Sequence, residues 1–127
     1  MKKVTVHLPW PNSKLLPNRR GGRHWGSYQN QKVDSRAQGF IAAAESNMKH
    51  LFSADDLVKV MIVFYAPDAR LRDLDGLYSS LKHAQDGICR YFGIDDSRMN
   101  PVTLVRRIDP DKVGYVVMTL EKLEEEP

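Results

Sequence analysis

Along the first ten residues, Val4, Val6 and Leu8 alternate with Thr5 and His7, the period of a half-buried strand, and Pro9 and Pro11 end it. Residues 11–27 are rich in Pro, Asn, Gly, Ser and Arg and read as a long loop. From about Gln29 to Leu51 the pattern becomes helical: Val33, Ala37, Phe40, Ile41, Ala44, Met48 and Leu51 recur at spacings of three and four, with Gly39 as a weak point. Ser53 to Asp56 form a turn. Leu57 to Tyr65, rich in Val, Ile, Phe and Tyr, predicts a largely buried strand. A charged loop, Pro67 to Arg72, leads to a second helix from about Asp75 to Tyr91, whose stripe is Leu77, Leu81, Ala84, Ile88 and Tyr91. Gly93 suits its C-cap. Val102–Ile108 and Tyr115–Leu120 are two further strands, joined by a turn that starts at Asp109-Pro110-Asp111 and ends near Gly114. The predicted order is β-α-β-α-β-β, an α+β fold with two main helices on one face of a small mixed β-sheet. Residues 1–127 read as one domain, with residues 121–127 a frayed acidic tail.

Composition narrows the class. Hydrophobic residues make up 42% and charged residues 28%, and no apolar run approaches the ~20 residues of a membrane span. A soluble protein without a membrane partner is expected. The N-terminus alternates instead of running apolar, so it makes a poor signal peptide. Cys89 is the one cysteine, which excludes an internal disulfide and fits a reducing cytoplasm. The net charge of +3 is unevenly spread: residues 1–36 hold eight Lys and Arg against Asp34 alone, a balance of +7, and the remainder is −4. Lys14, Arg19, Arg20, Arg23 and Arg36 are the candidate contacts to a polyanion such as a nucleic-acid backbone; a solvated basic arm is the alternative.

The chemistry concentrates in residues 70–98. Arg72-Asp73-Leu74-Asp75 precedes a helix and Asp95-Asp96 follows it, so carboxylates flank both ends. Hard divalent cations take oxygen ligands, often one or two carboxylates with waters and a substrate phosphate. Asp75 at a helix start also suits the macrodipole or an N-cap role. Lys82 returns to the face of Asp75 about two turns later, beside Ser79 and Asp86, a stripe that equally describes a solvent face. A helix from Asp75 to Tyr91 is roughly 24 Å long, so Asp96 reaches Asp75 only if the following chain turns back or a second subunit contributes. His7, His24, His50 and His83 show no metal-ligand spacing, and Arg20-Gly21-Gly22-Arg23 is not a phosphate loop. Cys89 reads as core. Trp10 and Trp25 flank the basic loop and either stack on bases or pack on the sheet edge.

The run Arg72-Asp73-Leu74-Asp75-Gly76-Leu77, then Lys82, Asp86-Gly87-Ile88 and Gly93-Ile94-Asp95-Asp96-Ser97, resembles the RusA family of Holliday junction resolvases, in particular its phage and prophage members. Leu8-Pro9-Trp10-Pro11, Pro17-Asn18 and His24-Trp25 resemble that family's opening strand and basic loop, so the likeness spans most of the chain. It implies a cytoplasmic homodimer that uses Mg²⁺ or Mn²⁺ to place paired symmetric nicks in four-way junction DNA. Asp73, Asp75 and Asp96 match the metal-binding acids, Lys82 the catalytic lysine, and Asp95 a less decisive neighbour. Two positions depart from the pattern. Gly76 stands where the family carries Asn, and Lys82 lies seven residues after Asp75 instead of four, which keeps the helix face but adds about 4.5 Å along the axis. A branched-DNA-binding protein without cleavage and a nuclease for other branched DNA are the alternatives.

Overall fold

The computed structural model describes residues 2–11 and 25–124, with the backbone alone for residues 25–29 and 31. Lys14, Arg19, Arg20 and Arg23, and with them most of the basic loop, lie outside the described residues, as do residues 125–127. The elements follow the expected order: β1 (Lys3–Pro9), α1 (Trp25–Ala44), β2 (Val58–Ala66), α2 (Leu74–Phe92), β3 (Met99–Ile108) and β4 (Tyr115–Lys122), with a 3-10 turn at Asp96–Arg98.

The strands form one four-stranded mixed sheet in the order β1-β4-β2-β3. β4 runs antiparallel to both β1 and β2, and β2 and β3 are parallel. A parallel pair needs a crossover, and α2 supplies it. β3 starts at Met99 instead of Val102 because it is an edge strand: Pro101, with no N–H to give, sits where the pairing slips between Val58↔Met99 and Val60↔Val102.

Strand period fixes which side chains face the helices. Val4, Val6 and Leu8 of β1, Val58, Val60, Ile62 and Phe64 of β2, and Val116, Met118 and Leu120 of β4 are all buried. They meet Leu77, Leu81, Ala84, Ile88 and Phe92 of α2 in one core. Trp10 packs edge-on to Phe64 with ring centroids 6.3 Å apart, which favours the sheet-packing reading over base stacking. Cys89 lies in the core, and burial, followed by the nearby charges of Asp96, Asp86 and Asp95, pushes its thiol up to about 12. Gly93 ends α2 in the left-handed region (φ 68°), its N–H donating to the Cys89 carbonyl.

α1 departs from its sequence pattern in extent and in facing. It starts at Trp25 and stops at Ala44 instead of reaching Leu51, because residues 45–47 wind off as a turn. The Ser46 hydroxyl donates to the Ala43 carbonyl (2.6 Å) and Asn47 adopts φ 57°. The apolar stripe that marks α1 as a helix does not face the core. Val33 is 59% exposed, Ile41 58% and Phe40 43%. The buried face is Ser35, Gly39 and Ala43, a row of small residues four apart. The cause is a close approach to α2. A Cβ on Gly39 would stand 1.9 Å from the Ala84 carbonyl oxygen, and one on Gly87 would stand 2.0 Å from that of Arg36. The two backbones touch at this crossing, so only a small-residue face of α1 can be turned inward.

Gly39→Ala and Gly87→Ala would gain about 1 kcal/mol of helix propensity. Separating two packed backbones costs more, so each variant is expected to lose about 1–3 kcal/mol in chemical denaturation. Gly76, with nothing within 4 Å of an added Cβ, is the control: Gly76→Ala is expected to gain about 0.4–1 kcal/mol.

Candidate functional site

The loop from β2 to α2 is braced by its own charges. Asp68 accepts from the Arg70 backbone N–H at Oδ1 (3.0 Å) and from its guanidinium at Oδ2 (3.2 Å), and Oδ1 also lies 2.8 Å from Arg72 Nη1. These partners, Arg72 foremost, hold the Asp68 carboxyl well below the usual carboxylate range. The Arg72 guanidinium also lies 5.3 Å from the centre of the Trp10 ring, a cation–π contact in a side chain only 17% exposed. Arg106 of β3 donates to the Arg72 carbonyl and ties the loop to the neighbouring strand.

Asp73 follows this clamp. It takes the N-cap position of α2 (φ −79°, ψ 130°), and its carbonyl accepts from the Leu77 N–H at 3.0 Å. Its carboxylate makes no capping bond. Asp75 stands in the first turn, where the helix macrodipole favours it. Both side chains are exposed, and among the described residues neither has a hydrogen bond or ion pair. The parallel register pairs Phe64 with Arg106 and Tyr65 with Arg107, so these arginines emerge at the same edge as the loop. Successive strand residues face opposite sides, so Arg106 is on the helix-covered face with Phe64, where it bonds the Arg72 carbonyl just before Asp73, and Arg107 is on the open face with Tyr65.

The other acids lie at the far end of α2. Asp95 caps the 3-10 turn, accepting from the Ser97 backbone N–H (3.1 Å) and from its hydroxyl. Those two bonds hold its carboxyl below the usual range, so Asp95 has a structural task. Asp96, beside it, is exposed and has no bonded partner among the described residues. An open cleft of about 340 Å³ there is lined by Asp86, Cys89, Arg90, Gly93, Ile94, Asp95 and Asp96. Asp86 is paired across the helices with Arg36 (Nε to Oδ2 2.7 Å), so the Arg36 guanidinium expected to grip phosphate is already engaged.

The expected triad is therefore split. α2 has 19 residues, about 28 Å at 1.5 Å per residue, and Asp96 lies beyond its C-terminal end. The chain does return toward this end of α2, but as β3, and it delivers Arg106, which bonds the Arg72 carbonyl, instead of Asp96. Among the described residues no group of three or more His, Cys, Asp or Glu side chains is arranged to hold a metal ion. One chain offers Asp73 and Asp75, unpaired hard oxygen donors that fit a cation retaining most of its waters. Lys82 is exposed on α2, with Nζ 4.6 Å from the centre of the Tyr78 ring. Sequence spacing missed Arg106: it lies near the end of a strand whose parallel pairing with β2 brings it to the Arg72 carbonyl.

No family model matches the chain. It is similar to an uncharacterized protein of Xylella fastidiosa (strain Temecula1), 29% identical over 117 residues that cover 91% of this chain and 74% of the relative.

Asp109 shows what a structural aspartate looks like here. Buried at the start of the β3–β4 turn, it accepts backbone N–H groups from Asp111 (2.9 Å), Val113 (3.2 Å) and Gly114 (3.0 Å). The Gly114 and Asp111 bonds lower its carboxyl from the ordinary 3.8. A lowered folded value stabilises the fold above the ordinary value, and the contribution is lost as pH falls through the lowered one. Asp109→Asn is expected to lower the unfolding midpoint at neutral pH, with the gap to wild type closing in acid. Asp73→Asn and Asp75→Asn are expected to move stability by less than about 1 kcal/mol. Thermal melts of the three variants between pH 2 and 7 separate the two kinds of aspartate.

Proposed function

We propose that the protein is a metal-dependent endonuclease for branched DNA that acts as a homodimer on four-way junctions. The observation that carries this reading is a pair of exposed carboxylates, Asp73 and Asp75, unpartnered among the described residues, that follow an arginine-braced loop at the C-terminal edge of the parallel strands β2 and β3. Ligands of sheets with parallel strands gather at that edge. Exposed arginines near free carboxylates suit a phosphodiester backbone, since Arg70 and Arg106 would attract the phosphates that the acids alone would repel.

In this reading Asp73 and Asp75 hold Mg²⁺ or Mn²⁺. Such a cation supplies an activated water and charge stabilisation for the leaving oxygen when bound. Arg70 and Arg106 hold the flanking phosphates, joined by Lys14, Arg19, Arg20 and Arg23 from the basic loop. Arg72, clamped by Asp68 and Trp10, fixes the loop that presents the acids. Lys82 offers an exposed ammonium further along the same helix for a neighbouring phosphate. Asp96 joins a site only from a second copy, because the length of α2 keeps it from Asp75 of its own chain. That is the argument for a homodimer: two equivalent composite sites would nick opposed strands of a junction. The split acids also favour a second reading, a branched-DNA-binding protein that does not cleave, which Gly76 and the displaced Lys82 support.

Purified protein incubated with a labelled four-way junction and a matched duplex, in Mg²⁺, Mn²⁺ or EDTA, decides between them. Metal-dependent paired cuts in the junction alone are expected; binding without cuts in either metal leaves the second reading. Asp75→Asn is expected to reduce cleavage by roughly 100-fold, the order seen when a charge-stabilising group leaves an active site, with junction binding retained. Mixing Asp75→Asn with Asp96→Asn chains tests the composite site. A heterodimer would then hold one intact site and regain nicking of one strand, whereas a site confined to one chain would stay dead in every combination.

A further inference from the structure

The helices cover one face of the sheet, and strand period turns every second side chain of β1–β4 to the other. Among the described residues the charges on that open face are Lys3, Lys59 and Arg107, all exposed, against Glu121. Its centre is apolar and partly open, with Met61 42% exposed. One row crosses it from edge to edge: Pro9 of β1, Tyr115 of β4, Tyr65 of β2 and Arg107 of β3, each paired with the next by the strand register. We propose that this row is a stacking platform for the unpaired bases of a single-stranded DNA segment, separate from the acidic edge that carries Asp73 and Asp75.

The two rings fix where a base fits. Tyr65 and Tyr115 stand on the two central strands with centroids 4.5 Å apart and planes 19° from parallel. Rings so close and so nearly parallel overlap face to face, so the stack stands upright on the sheet and runs across the strands. Its outer faces look along the row, that of Tyr115 toward Pro9 and that of Tyr65 toward Arg107. Pro9 is short and exposed and stands on an edge strand, so a flat group can enter above it and continue the stack on Tyr115, itself 38% exposed. At the other end Arg107 Nη1 donates to the Arg106 carbonyl (2.9 Å), and a guanidinium has further N–H donors for a phosphate.

The occupant follows from charge and ring geometry together. A surplus of positive charge calls for an anion, and an extendable ring stack calls for a flat aromatic group; a nucleotide is both. Bases inside a duplex already stack on one another, so the platform selects unpaired ones, as open four-stranded sheets with aromatics on their strands do. A second copy on this face would set its positive residues against their like, which disfavours that partner. In the adjoining turn Asp109 is enclosed by backbone N–H groups and Asp111 is offset by Lys112. The platform rests on the nuclease reading for its choice of DNA. Tyr65 and Arg107 lie near the ends of β2 and β3, at the sheet edge that leads to the acid loop. A branch with a duplex arm at Asp73 and Asp75 can therefore lay an unpaired strand over that edge onto the open face.

Fluorescence anisotropy in EDTA, which silences metal-dependent cleavage, tests the platform with a labelled oligothymidylate of about 15 nucleotides and a matched duplex. Wild type is expected to bind the single strand, less tightly as salt rises. Tyr115→Ala is expected to weaken that binding roughly 10-fold, the order lost with one stacked aromatic, and Tyr115→Phe to leave it within about twofold. Duplex binding is expected to change little in either variant. Irradiation of wild type with an oligonucleotide carrying 5-iododeoxyuridine is expected to crosslink the peptide that holds Tyr115, a readout that needs no variant to fold. Absence of single-strand binding, a crosslink confined to other peptides, or a Tyr115→Ala protein that binds as wild type overturns the platform. So does a Tyr115→Ala protein that halves its mass in solution and keeps its single-strand affinity, the mark of a face covered by a second copy. Junction cleavage is read separately. A protein that cuts junctions but holds no single strand loses the platform and keeps the nuclease reading; one that holds the single strand through Tyr115 but cuts nothing does the reverse.

Discussion

The contact that governs this molecule is between two backbones. Where α1 crosses α2, Gly39 lies against the Ala84 carbonyl and Gly87 against that of Arg36, with no room for a Cβ on either side. Close packing of this kind permits small residues and little else. Ser35, Gly39 and Ala43 therefore take the inner face, and the larger apolar residues of α1 are left outside. The Arg36–Asp86 ion pair lies at the same crossing and fastens the helices laterally. It also withdraws Arg36 from the basic surface and Asp86 from the acidic one. One packing constraint thus decides which side of α1 is offered to the surroundings and which charges near it remain free.

Strand period and the stripe of α2 made most of the fold legible in the sequence. Val4-Val6-Leu8 and Leu77-Leu81-Ala84-Ile88 are each apolar along one face and polar along the other, which leaves a single way to bury them. α1 carries two rows with the same four-residue spacing, one large and apolar, one small. Periodicity reports that both rows lie on a helix but not which of them meets the core. Gly39 was the local sign: a glycine inside a helix costs propensity, and here close approach is the compensation. Asp73 and Asp75 were legible as neighbours because two residues cannot separate them far. Asp96 was not, because its place depends on the straight length of α2 and on β3 instead of Asp96 making the return.

The aspartates sort by what they bond. Asp68, Asp86, Asp95 and Asp109 are occupied with arginines, a serine or a ring of backbone N–H groups. Asp73, Asp75 and Asp96 hold none of these partners among the described residues. A carboxylate occupied in this way serves the fold, and one left exposed and unbonded remains open to a ligand. The sequence cannot make that distinction, since Asp95 and Asp96 are adjacent and identical. It arises from the 3-10 turn, which aims the Asp95 side chain back at Ser97 and leaves Asp96 clear.

The crossover places these free acids at two ends of a rigid spacer. A helix of about 28 Å cannot bend to bring Asp96 to Asp75 without breaking the hydrogen bonds that make it a helix. In the proposed reading the two acidic groups meet only across a subunit boundary, so the length of α2 is what makes the site depend on a second copy.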